Sequence, residues 1–159
     1  MRIEEVTGPR EAYLPLLMLA DEGEAAVRKY LHDGRLFAAK SGADSLGAAL
    51  YVPVDRDTVE LKNIALHEVS RGKGIGRAII EDGISRYTEM GFRRMIIGTA
   101  NSSIGNLVFY QKCGFRMYGI RRGLFLSYPE PIWENGIRAI DMVMFERELY
   151  ESGLGEEWR

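Results

Sequence analysis

A chain of 159 residues suits one domain, or two at most, and buries enough surface to fold without a metal or a disulfide. One cysteine and two histidines exclude a disulfide-stapled framework and argue against any metal site. With 46% hydrophobic and 28% charged residues, no membrane-length apolar run, and a start at Met1–Glu5 without the apolar core of a signal peptide, the expectation is a soluble cytoplasmic protein that does not engage membranes.

Arg2–Val6 reads as a first strand, and Thr7-Gly8-Pro9 as the entry to a helix that Pro15 breaks or delays. A second helix is expected over Glu22–His32, stopped by Gly34. Arg35–Lys40 and Ser45–Val54 read as strands joined by the turn Ser41–Asp44, and Thr58–Leu66 as a further strand. An amphipathic helix should run from Ile75 to Met90, with Gly91 as its stop. Gly83 in its middle costs about 1 kcal/mol relative to Ala, so packing must hold the helix together. A buried-type strand Arg94–Ala100, a short helix Ser103–Lys112 and two strands, Met117–Phe125 and Arg138–Glu146, complete the chain, with Ser127–Gly136 as a Pro-rich loop. No repeat, low-complexity tract or linker interrupts it, so residues 1–159 read as a single α/β (α+β) domain with a mixed sheet and a central strand–helix–strand unit.

The net charge of −2 hides an asymmetry: residues 71–123 hold ten basic and three acidic side chains, and both flanks are acidic. That distribution suggests an anionic ligand held by the middle of the chain, with room for a cationic partner at the flanks. Scattered basic residues in an acidic chain argue against nucleic acid.

The sharpest local signal is Arg71-Gly72-Lys73-Gly74-Ile75-Gly76, between a strand and a helix. Alternate glycines permit a tight turn and close approach of main-chain N–H groups to a ligand. At a helix N-terminus those groups suit a phosphate or pyrophosphate, and Arg71, Lys73 and Arg77 add charge. The plainer alternative is a turn whose glycines serve only tight packing. A Walker A loop would need Ser or Thr after Gly-Lys, where Gly74 stands, and a dinucleotide fingerprint would need an acidic residue near position 94, which is Arg94. The preceding strand changes its apolar parity between Val59/Leu61 and Ile64/Leu66, which predicts a bulge near Lys62–Asn63, against the alternative of a strand buried on both faces.

Together these features resemble the GNAT superfamily of acetyl-CoA-dependent N-acetyltransferases. The likeness runs from about Arg2 to Arg147 and is strongest over residues 58–116. Residues 71–76 match the family's pyrophosphate loop, Glu60–Leu66 is similar to the strand before it, and Tyr110–Phe115 to its Tyr-x-x-x-Gly-Phe motif. The segment Tyr128–Gly136 resembles a bacterial branch of uncharacterised acetyltransferases. The implied fold is a mixed, mostly antiparallel central sheet with a parallel strand–helix–strand unit and flanking helices. The implied cofactor is acetyl-CoA, touched by Ile64, Ala65, Leu66 and residues Arg71, Gly72, Lys73, Gly74, Ile75, Gly76 and Arg77. The family often has Asn seven residues before the tyrosine; here Ser103 stands there, between Asn101 and Asn106, and any of the three is a candidate for the CoA arm.

The resemblance implies acetyl transfer to a primary amine, small or peptidic, by direct attack in a ternary complex. Glu60 takes the place of the general base, against the alternative of a solvated carboxylate paired with Lys62. Tyr110 takes that of the general acid, against a packing tyrosine. The Leu66 amide corresponds to the oxyanion contact, and Cys113 reads as a small buried residue. Tyr128, Glu130, Trp133 and Glu134, with Phe125 and Asp141, fall where the family receives its acceptor and suit a cationic amine, against the equal alternative of a solvated acidic surface loop. A non-catalytic acyl-CoA-binding or sensor module is the alternative class, and a dinucleotide-binding module a third. Trp158 and the aromatic loop make a homodimer an expectation.

Overall fold

In the computed structural model residues 1–150 are described, and they divide into two compact units, Met1–Phe92 and the residues from Arg93 onward. In the first, β1 (Arg2–Glu5), β2 (Arg35–Ser41), β3 (Asp44–Pro53) and β4 (Thr58–Leu66) pair antiparallel in that order. The chain between β1 and β2 holds two short helices, α1 (Leu14–Leu17) and α2 (Glu24–Arg28), flanked by single 3-10 turns. Pro15 does not break the first helix, because it occupies its first turn, where a missing N–H costs nothing. The second helix is shorter than expected, since Tyr30–Asp33 closes as turns before Gly34 adopts a φ of 54°.

Alternation along the strands builds two layers. Leu36, Ala48, Leu50 and Ala65 pack with Leu14, Leu17, Val27 and Leu31 from the helical segment. Phe37 and Tyr51, of opposite parity, meet ring to ring at 5.8 Å, and Tyr51 in turn meets Tyr87 of α3 (Ile75–Glu89) at 4.9 Å. Burial pushes the Tyr87 phenol up to about 12.

This aromatic layer explains Gly83. A Cβ there would overlap the Tyr51 hydroxyl oxygen and stand 2.5 Å from Cζ, and the fully buried Tyr51 ring has nowhere to swing. Helix propensity alone makes Gly83→Ala stabilising. The overlap reverses the sign, and a loss of about 1–3 kcal/mol is expected, read as a lower urea midpoint at unchanged slope. A raised midpoint would show that the layer yields freely.

In the second unit β5 (Arg94–Ala100), β6 (Arg116–Arg121) and β9 (Met142–Glu148) form an antiparallel sheet with β9 in the middle, and α4 (Ile104–Lys112) connects β5 to β6. A separate two-stranded hairpin, β7 (Trp133–Glu134) and β8 (Ile137–Arg138), begins inside the segment 127–136 expected to be a loop and ends at Arg138, the expected start of the last strand. The strand expected over 117–125 stops at Arg121, because Gly123 turns left-handed (φ 70°) and opens a 3-10 turn over Leu124–Ser127. The strand expected over 138–146 starts instead at Met142. Asn101 Oδ1 takes the amides of Ile140 and Asp141 at 2.8 and 3.1 Å, so these donors serve a side chain rather than a ladder.

Candidate active site

In the first unit β4 carries the expected bulge. Leu50 pairs with Asn63 and Tyr51 with Leu61, leaving Lys62 as the extra residue. Lys62 does not pair with Glu60; its ammonium lies 5.3 Å from the centroid of the Tyr30 ring. Glu60, half-buried opposite Val52, has no ion pair among the described residues. Asn63 is buried by the bulge and donates to the Leu17 carbonyl at 3.0 Å and to the Tyr30 hydroxyl at 2.8 Å, which in turn donates to Asp21 at 2.9 Å. The parity break pointed to the bulge, but nothing local pointed to this chain of polar contacts.

After β4, His67 opens a 3-10 turn over Glu68–Ser70 and the glycine loop follows. Gly72 and Gly74 have φ of 75° and 78°, and a Cβ on either would meet nothing within 4 Å. Packing therefore does not demand glycine at these positions; the sign of φ and open space in front of the backbone do. Gly74 is the N-cap of α3, with no side-chain cap, and the first helical bond runs from the Ala78 amide to the Gly74 carbonyl. The amides of Ile75, Gly76 and Arg77 are left without an intrahelical acceptor. Arg71, Lys73 and Arg77 are exposed and form no ion pair among the described residues; Arg71 donates to the Leu66 carbonyl at 3.4 Å. Ala65 is buried against Ala48, and Ile64 and Leu66 are half-buried beside it. The arrangement is a cationic rim around uncommitted N–H donors, built for an anion.

In the second unit Tyr110 of α4 is buried, with its ring edge-on to Phe115 and Phe145 at 6.3 and 5.8 Å. Burial pushes its phenol up, and the neighbouring Cys113 thiol adds to the rise. Cys113 is itself buried. Of the three residues offered for the CoA arm, Asn101 is fully engaged by the 138–141 backbone, donating to the Arg138 carbonyl at 3.1 Å as well as accepting two amides. Ser103 donates to Glu134 at 2.7 Å. Asn106 is exposed, and its only side-chain bond among the described residues is the 3.2 Å donation to Thr99 Oγ1.

The acidic loop is less open than its sequence suggests. Glu134 Oε1 also accepts from Ser102 at 3.3 Å, Asn135 donates to the Ser102 carbonyl at 2.9 Å, and Asp141 accepts the Gly123 amide at 2.8 Å. Phe125 and Tyr128 lean on each other at 5.6 Å. Glu130 and Trp133 remain exposed, whereas Trp158 lies outside the described residues. Among the described residues no group of three or more His, Cys, Asp or Glu is gathered, and no helix is long and apolar enough to cross a membrane.

A glycine-loop cradle at the head of α3, after a bulged β4, is the arrangement of an acetyltransferase. Residues 7–115 match the Acetyltransferase (GNAT) family, and the chain belongs to it. It is 38% identical over 150 residues, 94% of its length and 97% of the relative's, to the uncharacterized N-acetyltransferase YvbK of Bacillus subtilis (strain 168). Among solved structures it is similar to a GNAT family acetyltransferase from Elizabethkingia anophelis with acetyl-CoA bound, at 40% identity and a TM-score of 0.87, covering 93% of this chain and 97% of that one. A structure described as an IAA acetyltransferase from Bacillus cereus ATCC 14579 follows at 37% identity and a TM-score of 0.86, covering 93% and 99%. The fold is thus the mixed, mostly antiparallel α/β fold of this family.

Proposed function

We propose that the two units act as one bacterial, cytoplasmic N-acetyltransferase domain that moves acetyl from acetyl-CoA to a primary amine by direct attack in a ternary complex. The observation that carries this reading is the glycine loop, whose backbone is open at Gly72 and Gly74 and whose cations are unspent. The Elizabethkingia relative with acetyl-CoA bound supports the cofactor. In this reading the loop and the first amides of α3 hold the pyrophosphate, and Asn106, with the most uncommitted polar capacity of its three neighbours, contacts the CoA arm. The Leu66 amide, past the bulge, polarises the thioester carbonyl, Glu60 removes the ammonium proton and Tyr110 donates to the leaving sulfur.

The test is thiol release from acetyl-CoA with a panel of amines, run beside CoA binding alone. Millimolar CoA should raise the melting temperature by mass action. Gly74→Val should abolish that shift, and should also lower the unliganded melting temperature, because a left-handed residue with a Cβ costs about 1–2 kcal/mol. An unchanged melting point of the unaltered protein in CoA would sink the reading. CoA binding without thiol release to any amine would select the sensor module instead.

A further inference from the structure

The hairpin β7–β8 departs most from the acidic-loop expectation. Its turn residues Asn135 and Gly136 both have positive φ, 55° and 73°, the turn whose twist suits a tight hairpin. The register sets Trp133 opposite Arg138 and Glu134 opposite Ile137. Side chains alternate across such a ribbon, so Trp133 and Arg138 share one face, and Glu134 on the other reaches the two serines.

Arg138 is the anomaly. Its Nε is buried without a hydrogen-bond partner, and its guanidinium forms no ion pair among the described residues. A guanidinium is permanently charged and presents its donors in a planar fork; Arg138 as a whole is half-buried, and its desolvated Nε–H without an acceptor is the costly part, which a ligand on the fork would complete. The nearby acids do not: Glu134 and Asp141 are engaged elsewhere, and Glu130 forms no ion pair among the described residues. Asn101 binds Arg138 only at its carbonyl, and the adjoining Ala139 amide bonds to the Ile132 carbonyl at 2.8 Å. The backbone is held firmly while the charged head is uncommitted.

We infer that Arg138 and Trp133 form a subsite for the acceptor, and that this acceptor is an amine carrying a carboxylate on an apolar or aromatic body. The inference rests on the N-acetyltransferase reading above. The carboxylate meets the guanidinium fork, and the indole, 64% exposed, covers the apolar body. A cofactor phosphate is the other anion to weigh, but Arg71, Lys73, Arg77 and the open glycine-loop amides already suit it. The unspent charge of this acidic-looking loop is a cation.

The experiment pairs phenylalanine with phenylalaninamide and tryptophan with tryptophanamide as acceptors, reading thiol release from acetyl-CoA. The carboxylate member should be favoured at least about tenfold, chiefly through KM. Arg138→Gln should raise KM for that member about 10–100-fold, with a much smaller effect on the amide. Arg138→Lys should restore only part, since an ammonium lacks the fork. Both variants should melt close to the unaltered protein, because the side chain makes no bond among the described residues; a large fall in both would mark a structural arginine and overturn the inference. Loss of CoA binding in Arg138→Gln with the acceptor preference unmoved would assign the guanidinium to phosphate and overturn it equally. Calorimetric titration of N-acetylphenylalanine and its amide, with CoA present, separates the two levels. Binding of the acid that Arg138→Gln abolishes, without turnover of any amine, supports the subsite and removes the transfer reading. Turnover without preference for the carboxylate does the reverse, and neither preference nor selective binding ends the proposal.

Discussion

Tyr110→Phe is expected to lower turnover of acetyl-CoA by about 10–10⁴-fold, with CoA affinity and melting temperature nearly unchanged. The Phe ring fills the same space between Phe115 and Phe145, so only the hydroxyl is lost. Burial of that hydroxyl defines what it does. A phenol pushed up from its ordinary value of about 10 stays protonated throughout any useful assay range, whereas a thiol ordinarily titrates near 8.5. In the proposed role Tyr110 would therefore be a weak acid but a permanent donor. Negative charge growing on the departing sulfur strengthens its hydrogen bond, and no full proton transfer is needed for the group to act. The rate of the unaltered enzyme should accordingly show no fall between pH 8 and 10 from loss of the phenolic proton. Initial rates across pH, beside a CoA titration of each protein, check both statements. Binding and turnover falling together would identify a packing tyrosine.

Glu60→Gln should cost about 10²–10⁴-fold in kcat/KM for an alkyl amine at pH 7. Such an amine, with a pKa of about 10.4, is neutral to well under ~1% at that pH and needs a proton acceptor. An aromatic, weakly basic amine needs little help, and its rate should change far less. The residual activity of the variant should also rise more steeply with pH, since only amine already neutral in solution can attack. The bulge sends Lys62 to the Tyr30 ring, so Glu60 is not one half of an ion pair with Lys62, and a solvated carboxylate is the rival that this experiment decides for or against. Fold and CoA affinity should be little altered, because the side chain is half-buried and has no hydrogen-bond or ion-pair partner among the described residues. Equal slowing of both amines with an unmoved pH profile would make Glu60 an electrostatic residue.

What could be read from sequence followed from local rules. The parity break in β4 was visible because side chains alternate strictly, and one extra residue must shift the phase. The left-handed turns of the glycine loop were visible because only glycine adopts them cheaply. Gly83 was visible only as a cost to its helix; the need for it was not, since Tyr51, which excludes a Cβ there, lies far away in sequence. The hairpin at 133–138 was missed although Asn135-Gly136 is a strong turn signal, because Pro129 and Pro131 made the whole segment look irregular. The late start of β9 was not readable at all: it depends on Asn101 taking amides about 40 residues away. The same holds for the acidic loop, where sequence counts carboxylates but not the serines and amide that occupy them.

The open space at Gly72 and Gly74 has a consequence in terms of handedness. Neither position is limited by volume, so the fold discriminates there between mirror-image residues rather than between large and small ones. An L-alanine would strain the backbone and crowd the approach to its amides in a single change. A D-alanine introduced by chemical ligation accepts positive φ without strain and leaves only the crowding. The cofactor grip and the folding stability of this loop are thus separable variables, although substitution within the natural L-amino acids always moves them together.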